Sequence, residues 1–133
     1  MKQINYVAIG LFLSVALSSC TPKMAFLNST VAPAATGTIK VKKDNNKNYA
    51  LTVDVMNLAE PQKLTPPRET YVVWMESNEN SVKKLGQLMP RSKVLKGELK
   101  TTSVDKPTDI FITAEDNADV NYPNGDIVLT TKK

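Results

Sequence analysis

The sequence contains no histidine and only one cysteine, Cys20. Without histidine the chain cannot assemble a Ser–His–Asp triad or a Cys–His pair, and the common His-containing zinc sites are excluded too. One cysteine cannot form an internal disulfide, so stability has to come from a packed core. We therefore predict a protein that is not an enzyme, with no catalytic residues, no metal and no cofactor.

The N-terminus has an apolar run too short to span a bilayer. Residues 7–17 follow Lys2 and make up roughly half of the 20 residues that a spanning helix needs. Small residues come next, which is typical of a secretory signal. Residues 17–20, Leu-Ser-Ser-Cys, resemble the lipobox of bacterial lipoproteins. That resemblance implies cleavage before Cys20, a diacylglycerol on its thiol and an acylated new amine.

Three segments follow from this interpretation. Residues 1–19 are predicted to be a lipoprotein signal peptide, residues 20–36 a lipidated N-terminus and tether, and residues 37–133 a single domain. The expected location is the cell envelope, with the lipid in the outer membrane on either its periplasmic or its surface face. We expect the lipid on Cys20, and not the protein surface, to make the membrane contact.

The charge of the chain is only mildly basic, with 17 Lys and Arg against 13 Asp and Glu. Both signs are interspersed, so no nucleic-acid partner is predicted. Lys40, Lys42, Lys43 and Lys47 form the densest basic stretch. It could bind phosphate groups of lipid or glycan, or it could be a solvated strand whose lysines protect a sheet edge. The pattern favours the second interpretation.

Helical periodicity is absent, and short alternating runs separated by turn residues take its place. The runs at 38–43 and 49–55 flank a polar turn and predict a hairpin, and Gly86 and Gly97 suggest bulges or bends. Trp74, within an almost wholly apolar run, is expected to organise the core. The predicted fold is all-β, an immunoglobulin-like antiparallel β-sandwich of about seven strands. The remaining predicted strands are residues 70–76, 82–88, 93–101, 109–115 and 127–131.

Two loops are the candidate binding surfaces, because sandwiches often carry recognition on their end loops. Residues 60–69 contain Pro66 and Pro67, which rule out a central strand there. Residues 116–124 contain Asp116, Asp119 and Asn121. The acidic run 115–121 could also supply oxygen ligands to Ca²⁺, but Asp and Asn are common turn residues in their own right, and a solvated loop is favoured.

About half of the chain after the signal resembles the extracytoplasmic domain of anti-sigma-K factors. The resemblance is carried by Tyr71-x-x-Trp74, by residues 85–88 (Leu-Gly-Gln-Leu) and 110–115 (Ile-Phe-Ile-Thr-Ala-Glu), and by Pro123-x-Gly125. The whole chain also resembles small lipoproteins of the Bacteroidetes type. This implies an immunoglobulin-like fold outside the cytoplasm and brings no catalytic residue with it. The cytoplasmic sigma-binding domain of that family has no counterpart here.

The function expected from these features is that of a non-catalytic, lipid-anchored binding module. Its partners would be the membrane, through the lipid on Cys20, and another envelope protein or a glycan. The alternative is a regulatory domain that senses the state of the envelope.

Overall fold

A computed structural model describes residues 22–78, 80–91 and 95–133. These residues form nine strands and one 3-10 turn, and none of their helices could cross a membrane. The strands are β1 (Lys23–Ala25), β2 (Thr36–Lys43), β3 (Tyr49–Met56), β4 (Thr70–Ser77), β5 (Val82–Gln87), β6 (Met89–Arg91), β7 (Lys96–Ser103), β8 (Pro107–Glu115) and β9 (Ile127–Thr130). The 3-10 turn is Pro61–Lys63. The predicted signal peptide and Cys20 lie outside the described residues.

The strands form two antiparallel sheets, of order β1-β2-β3-β7-β6 and β5-β4-β8-β9. With β2 to β9 taken in turn as strands A, B, C, C′, D, E, F and G, these orders are A-B-E-D and C′-C-F-G, as in immunoglobulin-like sandwiches. The predicted all-β sandwich is therefore confirmed. The estimate of seven strands was too low because it omitted β1 and β6, which are three residues each.

The core lies between the sheets and follows the alternation in the sequence. Successive residues of a strand point to opposite faces, so every second residue points into the core. From one sheet it contains Ile39, Leu51, Val53 and Val55, and from the other Val73, Met75, Ile110, Ile112 and Leu129. The predicted hairpin is confirmed as β2–β3. Asp44 shapes its turn, because one carboxylate oxygen accepts hydrogen bonds from the backbone N–H groups of Asn46 and Asn48.

Trp74 is fully buried, but it does not lie in this core. Its neighbours Val73 and Met75 point between the sheets, so the Trp74 ring points to the outer face of the second sheet. There it packs with Val72 and Phe111 in a separate small cluster. The expectation that Trp74 organises the main core was wrong, because strict alternation along β4 assigns the tryptophan to the other face.

A bulge or bend was predicted at each of two glycines, and a bulge is confirmed at one of them. The β4–β5 register shifts between Val73 and Trp74, opposite Gly86, which has a φ of 152°. Gly97 pairs in regular register on both sides. Its role is close packing, since a Cβ there would lie 2.6 Å from the Leu88 side chain.

The packed body begins earlier than the predicted boundary at residue 37. Lys23–Ala25 pair with β2, and Ala32 and Ala35 are buried in the core. Thus most of the predicted tether is part of the sandwich. The Pro22 carbonyl accepts a hydrogen bond from the N–H of Val41, 3.2 Å away, near the end of β2.

The sandwich has two distinct ends. The turn end carries the short connections β2–β3, β4–β5 and β7–β8, together with the C-terminus. The loop end carries the long connections β3–β4 and β8–β9. Since β2 is eight residues long, the ends are separated by roughly 25 Å at about 3.3 Å per residue. Pro22 lies toward the turn end, because it is beside Val41.

Candidate functional site

The two loops predicted to bind a partner are neighbours at the loop end. Thr70 and Glu115 pair across β4 and β8, so the β3–β4 loop ends beside the start of the β8–β9 loop. All five candidate side chains that the sequence indicated are solvent-exposed: Pro66, Pro67, Asp116, Asp119 and Asn121. Of these five, Asp116 also contacts the other loop.

The contact between the loops is an ion pair. Arg68 Nη1 donates to Asp116 Oδ2 at 3.0 Å, with 25% of the Arg68 side chain and 72% of the Asp116 side chain exposed. The Arg68 backbone N–H also donates to the Pro61 carbonyl at 2.9 Å. Within the same loop Leu64 is buried against the core. The β3–β4 loop is thus fixed at one point in the core and at another on its neighbour.

The β8–β9 loop is organised by a buried carboxylate, Glu115, which is 2% exposed. Its Oε1 accepts hydrogen bonds from the Thr113 hydroxyl at 2.6 Å and from the Asn124 N–H at 3.0 Å. Its Oε2 accepts one from the Gly125 N–H at 3.0 Å. A buried carboxylate is costly unless it is hydrogen-bonded, and these three donors satisfy it.

The same network reaches the tryptophan. Trp74 Nε1 donates to Thr113 Oγ1 at 2.8 Å, so Thr113 accepts from the indole and donates to Glu115. Gly125 closes the loop against β8, and a Cβ at this position would lie 1.7 Å from the Ala114 carbonyl oxygen. Only glycine can occupy this position.

The middle of the loop covers the outer face of the second sheet. Val120 packs on the Trp74 cluster, and the Lys84 ammonium of β5 donates to the Ala118 carbonyl. This cover explains how a tryptophan on an outer sheet face can be fully buried. Tyr122, two residues beyond Val120, is 74% exposed. The loop therefore exposes the Tyr122 ring to solvent, while contacts with Glu115, with Lys84 and with the Trp74 cluster fix its backbone.

A cavity of about 340 Å³ opens beside the β3–β4 loop. Leu58, Tyr71, Leu88 and Leu95 contribute to its walls. The Tyr71 hydroxyl donates to the Ala59 carbonyl at 2.6 Å, and burial raises the pKa of Tyr71 from its ordinary value of 10.0 to about 12. Tyr71 is thus a neutral hydrogen-bond donor that holds the loop against β4.

The acidic run 115–121 is used in folding the loop. Glu115 is satisfied by three donors, Asp116 pairs with Arg68, and Asn117 Oδ1 accepts from the Asp119 N–H at 2.9 Å. Across residues 22–78, 80–91 and 95–133, no three Asp, Glu, His or Cys side chains come close enough together to hold a metal ion.

The sequence-based predictions missed four residues of this end, namely Arg68, Glu115 as a buried anchor, Tyr122 and the contact role of Gly125. One signal was available for Glu115: it shares a strand face with Phe111 and Thr113, at a spacing of two. Arg68 and Tyr122 had no such signal, since their roles depend on tertiary contacts.

Comparisons with protein-family models, with curated proteins and with solved structures returned no match to this chain. The class that the strand order defines is the immunoglobulin-like β-sandwich.

Proposed function

We propose that this protein is a non-catalytic, lipid-anchored component of the bacterial cell envelope whose loop end binds another envelope protein or a glycan. The observation that carries the proposal is that the β3–β4 and β8–β9 loops meet at the end of the sandwich remote from Pro22. A lipid on Cys20, two residues before Pro22, would therefore leave these loops facing away from the bilayer.

Pre-organisation of the loops supports a binding role. Ordering a flexible loop on binding costs affinity, and a loop that is already fixed avoids much of this cost. Glu115, Gly125 and Val120 fix the β8–β9 loop, and the Arg68–Asp116 pair joins it to its neighbour. An exposed aromatic ring on such a backbone is a common centre of binding energy, and Tyr122 provides one.

The lipid anchor rests on the Leu-Ser-Ser-Cys sequence at 17–20. The intact mass of the protein purified from membranes tests it. We expect a chain that begins at Cys20 and carries a diacylglycerol and an N-acyl group. In a Cys20→Ala variant the protein should no longer be processed or lipidated in this way. An unmodified thiol in the wild type would contradict the anchor.

The binding role can be tested with two variants that change charge equally at opposite ends. The loop-end variant combines Asn121→Lys with Tyr122→Lys, and the turn-end variant combines Asn46→Lys with Val104→Lys. All four side chains are exposed, so both variants should fold. Each lipidated protein is immobilised and exposed to envelope extract, separately for protein and polysaccharide fractions.

The loop-end variant should retain no more than about one tenth of the partner that the wild type retains, as expected for loss of a central contact. The turn-end variant should retain the wild-type amount. Equal retention by both variants would contradict binding through the loop end. Capture of a membrane-spanning regulator by the same loops would favour the alternative, a domain that senses the state of the envelope.

A further inference from the structure

A group of lysines lies toward the turn end of the first sheet, and we call it the lysine face. Ile39 and Val41 point into the sandwich, so Lys40 and Lys42 of β2 point outward. Lys23 of β1 pairs in register with Lys40. The lysine face consists of Lys23, Lys40 and Lys42 on the outer side of the sheet, together with Lys43 at the end of β2 and Lys47 in the turn that follows. The structure describes all five as exposed.

Within the described part of the chain, no carboxylate forms an ion pair with these five ammonium groups. The nearby Asp44 is occupied by its own turn, since Oδ1 accepts from two backbone N–H groups. The Lys43 ammonium lies 6.0 Å from the centre of the Tyr49 ring, on the same side of the turn. The lysine face therefore carries five positive charges, and the one carboxylate within this stretch, Asp44, forms no ion pair with any of them among the described residues.

The face adjoins the predicted lipid. The Pro22 carbonyl accepts a hydrogen bond from the N–H of Val41, and Val41 lies between Lys40 and Lys42 in the sequence. Two residues can span at most about 7 Å, so a lipid on Cys20 would enter the bilayer close to these lysines. This step rests on the anchor proposed above.

We propose that the lysine face binds the anionic phospholipid headgroups of the bilayer that holds the lipid on Cys20. Phosphate groups attract nearby lysines, and an acyl chain combined with a basic patch is a known way of holding a protein on a membrane. The lipid holds the protein at the surface, and the lysine face determines its orientation. The loop end then faces away from the bilayer.

The test measures how fast each lysine is acylated by a water-soluble amine reagent, read by peptide mass spectrometry. The lipidated full chain is added to vesicles of phosphatidylcholine alone or of phosphatidylcholine with phosphatidylglycerol. In the anionic vesicles Lys23, Lys43 and Lys47 should react at least about threefold more slowly than in neutral ones. High salt should remove the difference, because it screens the attraction. Lys63 and Lys96 at the loop end should react equally in both.

A matched pair of variants assigns the effect to the face. Lys40→Gln with Lys42→Gln should remove the protection of Lys23 and Lys43, whereas Lys63→Gln with Lys96→Gln should keep it. If the lysines react equally fast in the presence of both kinds of vesicle, while the intact mass shows the lipid on Cys20, then binding of headgroups by the lysine face is contradicted and the lipid anchor is not. Protection by soluble dextran sulfate but by neither vesicle would also overturn it, in favour of a soluble polyanion. An unmodified Cys20 in the same sample would overturn the anchor and, with it, this membrane assignment.

Discussion

Gly125 donates its backbone N–H to the buried carboxylate of Glu115 over 3.0 Å, ten residues back along the chain. This one contact ties the end of the β8–β9 loop to the last residue of β8. Because Glu115 also accepts from Thr113, which accepts from Trp74, the loop and the outer face of the sheet form one hydrogen-bonded unit. Its disruption should affect the loop before it affects the main core.

Replacement of Glu115 by glutamine tests the buried carboxylate. The amide keeps one acceptor oxygen but directs an N–H₂ group at a backbone N–H or at the Thr113 hydroxyl, and a buried donor is left unsatisfied. We expect Glu115→Gln to lower the free energy of unfolding by about 1–3 kcal/mol, measured by urea denaturation. Asp119→Asn, an exposed change of the same kind, should alter it by less than about 0.5 kcal/mol. Equal effects would contradict the role given to Glu115.

Gly125→Ala should detach the loop from β8. A Cβ at this position would lie 1.7 Å from the Ala114 carbonyl oxygen, so the backbone has to move. Trp74 is the only tryptophan of the chain, and its fluorescence reports this movement directly. We expect red-shifted emission and faster quenching by acrylamide. Wild-type emission from a folded Gly125→Ala protein would show that the loop does not cover Trp74.

Truncation of Trp74 should lower the free energy of unfolding by more than its place outside the main core suggests. The side chain is fully buried and its indole N–H is hydrogen-bonded to Thr113. Trp74→Ala should therefore lower the free energy of unfolding by about 3–5 kcal/mol. Trp74→Phe retains much of the apolar contact and should cost less. An unchanged thermal midpoint for Trp74→Ala would contradict the burial of this ring.

The raised pKa of Tyr71 predicts that the folded protein loses stability in alkaline solution. Burial raises its pKa in the folded state from 10.0 to about 12. Between these values the unfolded chain has released the Tyr71 proton and the folded chain has not. The Tyr71 contribution is therefore constant below pH 10 and falls as the pH rises toward 12. Tyr71→Phe should weaken this dependence and also cost about 1 kcal/mol near neutrality, through loss of the hydrogen bond to Ala59.

The control for this prediction is Tyr122→Phe, a change on an exposed ring. It should preserve the wild-type dependence of the unfolding free energy on pH. A Tyr71→Phe profile that remains parallel to the wild type between pH 10 and 12 would contradict the prediction.

Two signals together predicted the sandwich. Continuous apolar runs located β4 and β8, which are buried on both faces, and the prolines within residues 60–69 indicated the long loop before β4. Period-two alternation located β2 and β3. It could not locate β1 and β6, since three residues do not establish a period. The apolar run around Trp74 correctly predicted its burial but wrongly placed it in the main core, because β4 is apolar on both faces and the covering loop is distant in sequence.

The candidate site was predictable only as two loops. Turn-forming residues indicated where the chain leaves the sheets, and the sandwich topology brings those loops to one end. The Arg68–Asp116 pair and the Glu115 network could not be predicted, since each joins residues whose proximity depends on the complete strand order. The boundary at residue 37 failed for a related reason: Ala32 and Ala35 are small residues in an irregular segment, and only the packed structure shows that they are buried.

The most direct test of the central claim, a lipid at one end and binding loops at the other, uses single thiols. If Cys20 carries a lipid, an introduced cysteine is the only free thiol in the chain, so Asn46→Cys and Asn121→Cys can each be labelled with a fluorophore on vesicles containing a headgroup quencher. We predict that wild-type protein takes no label, that the fluorophore at position 46 is strongly quenched, and that the one at position 121 is not. Labelling of wild-type Cys20, or equal quenching at both positions, would contradict the claim.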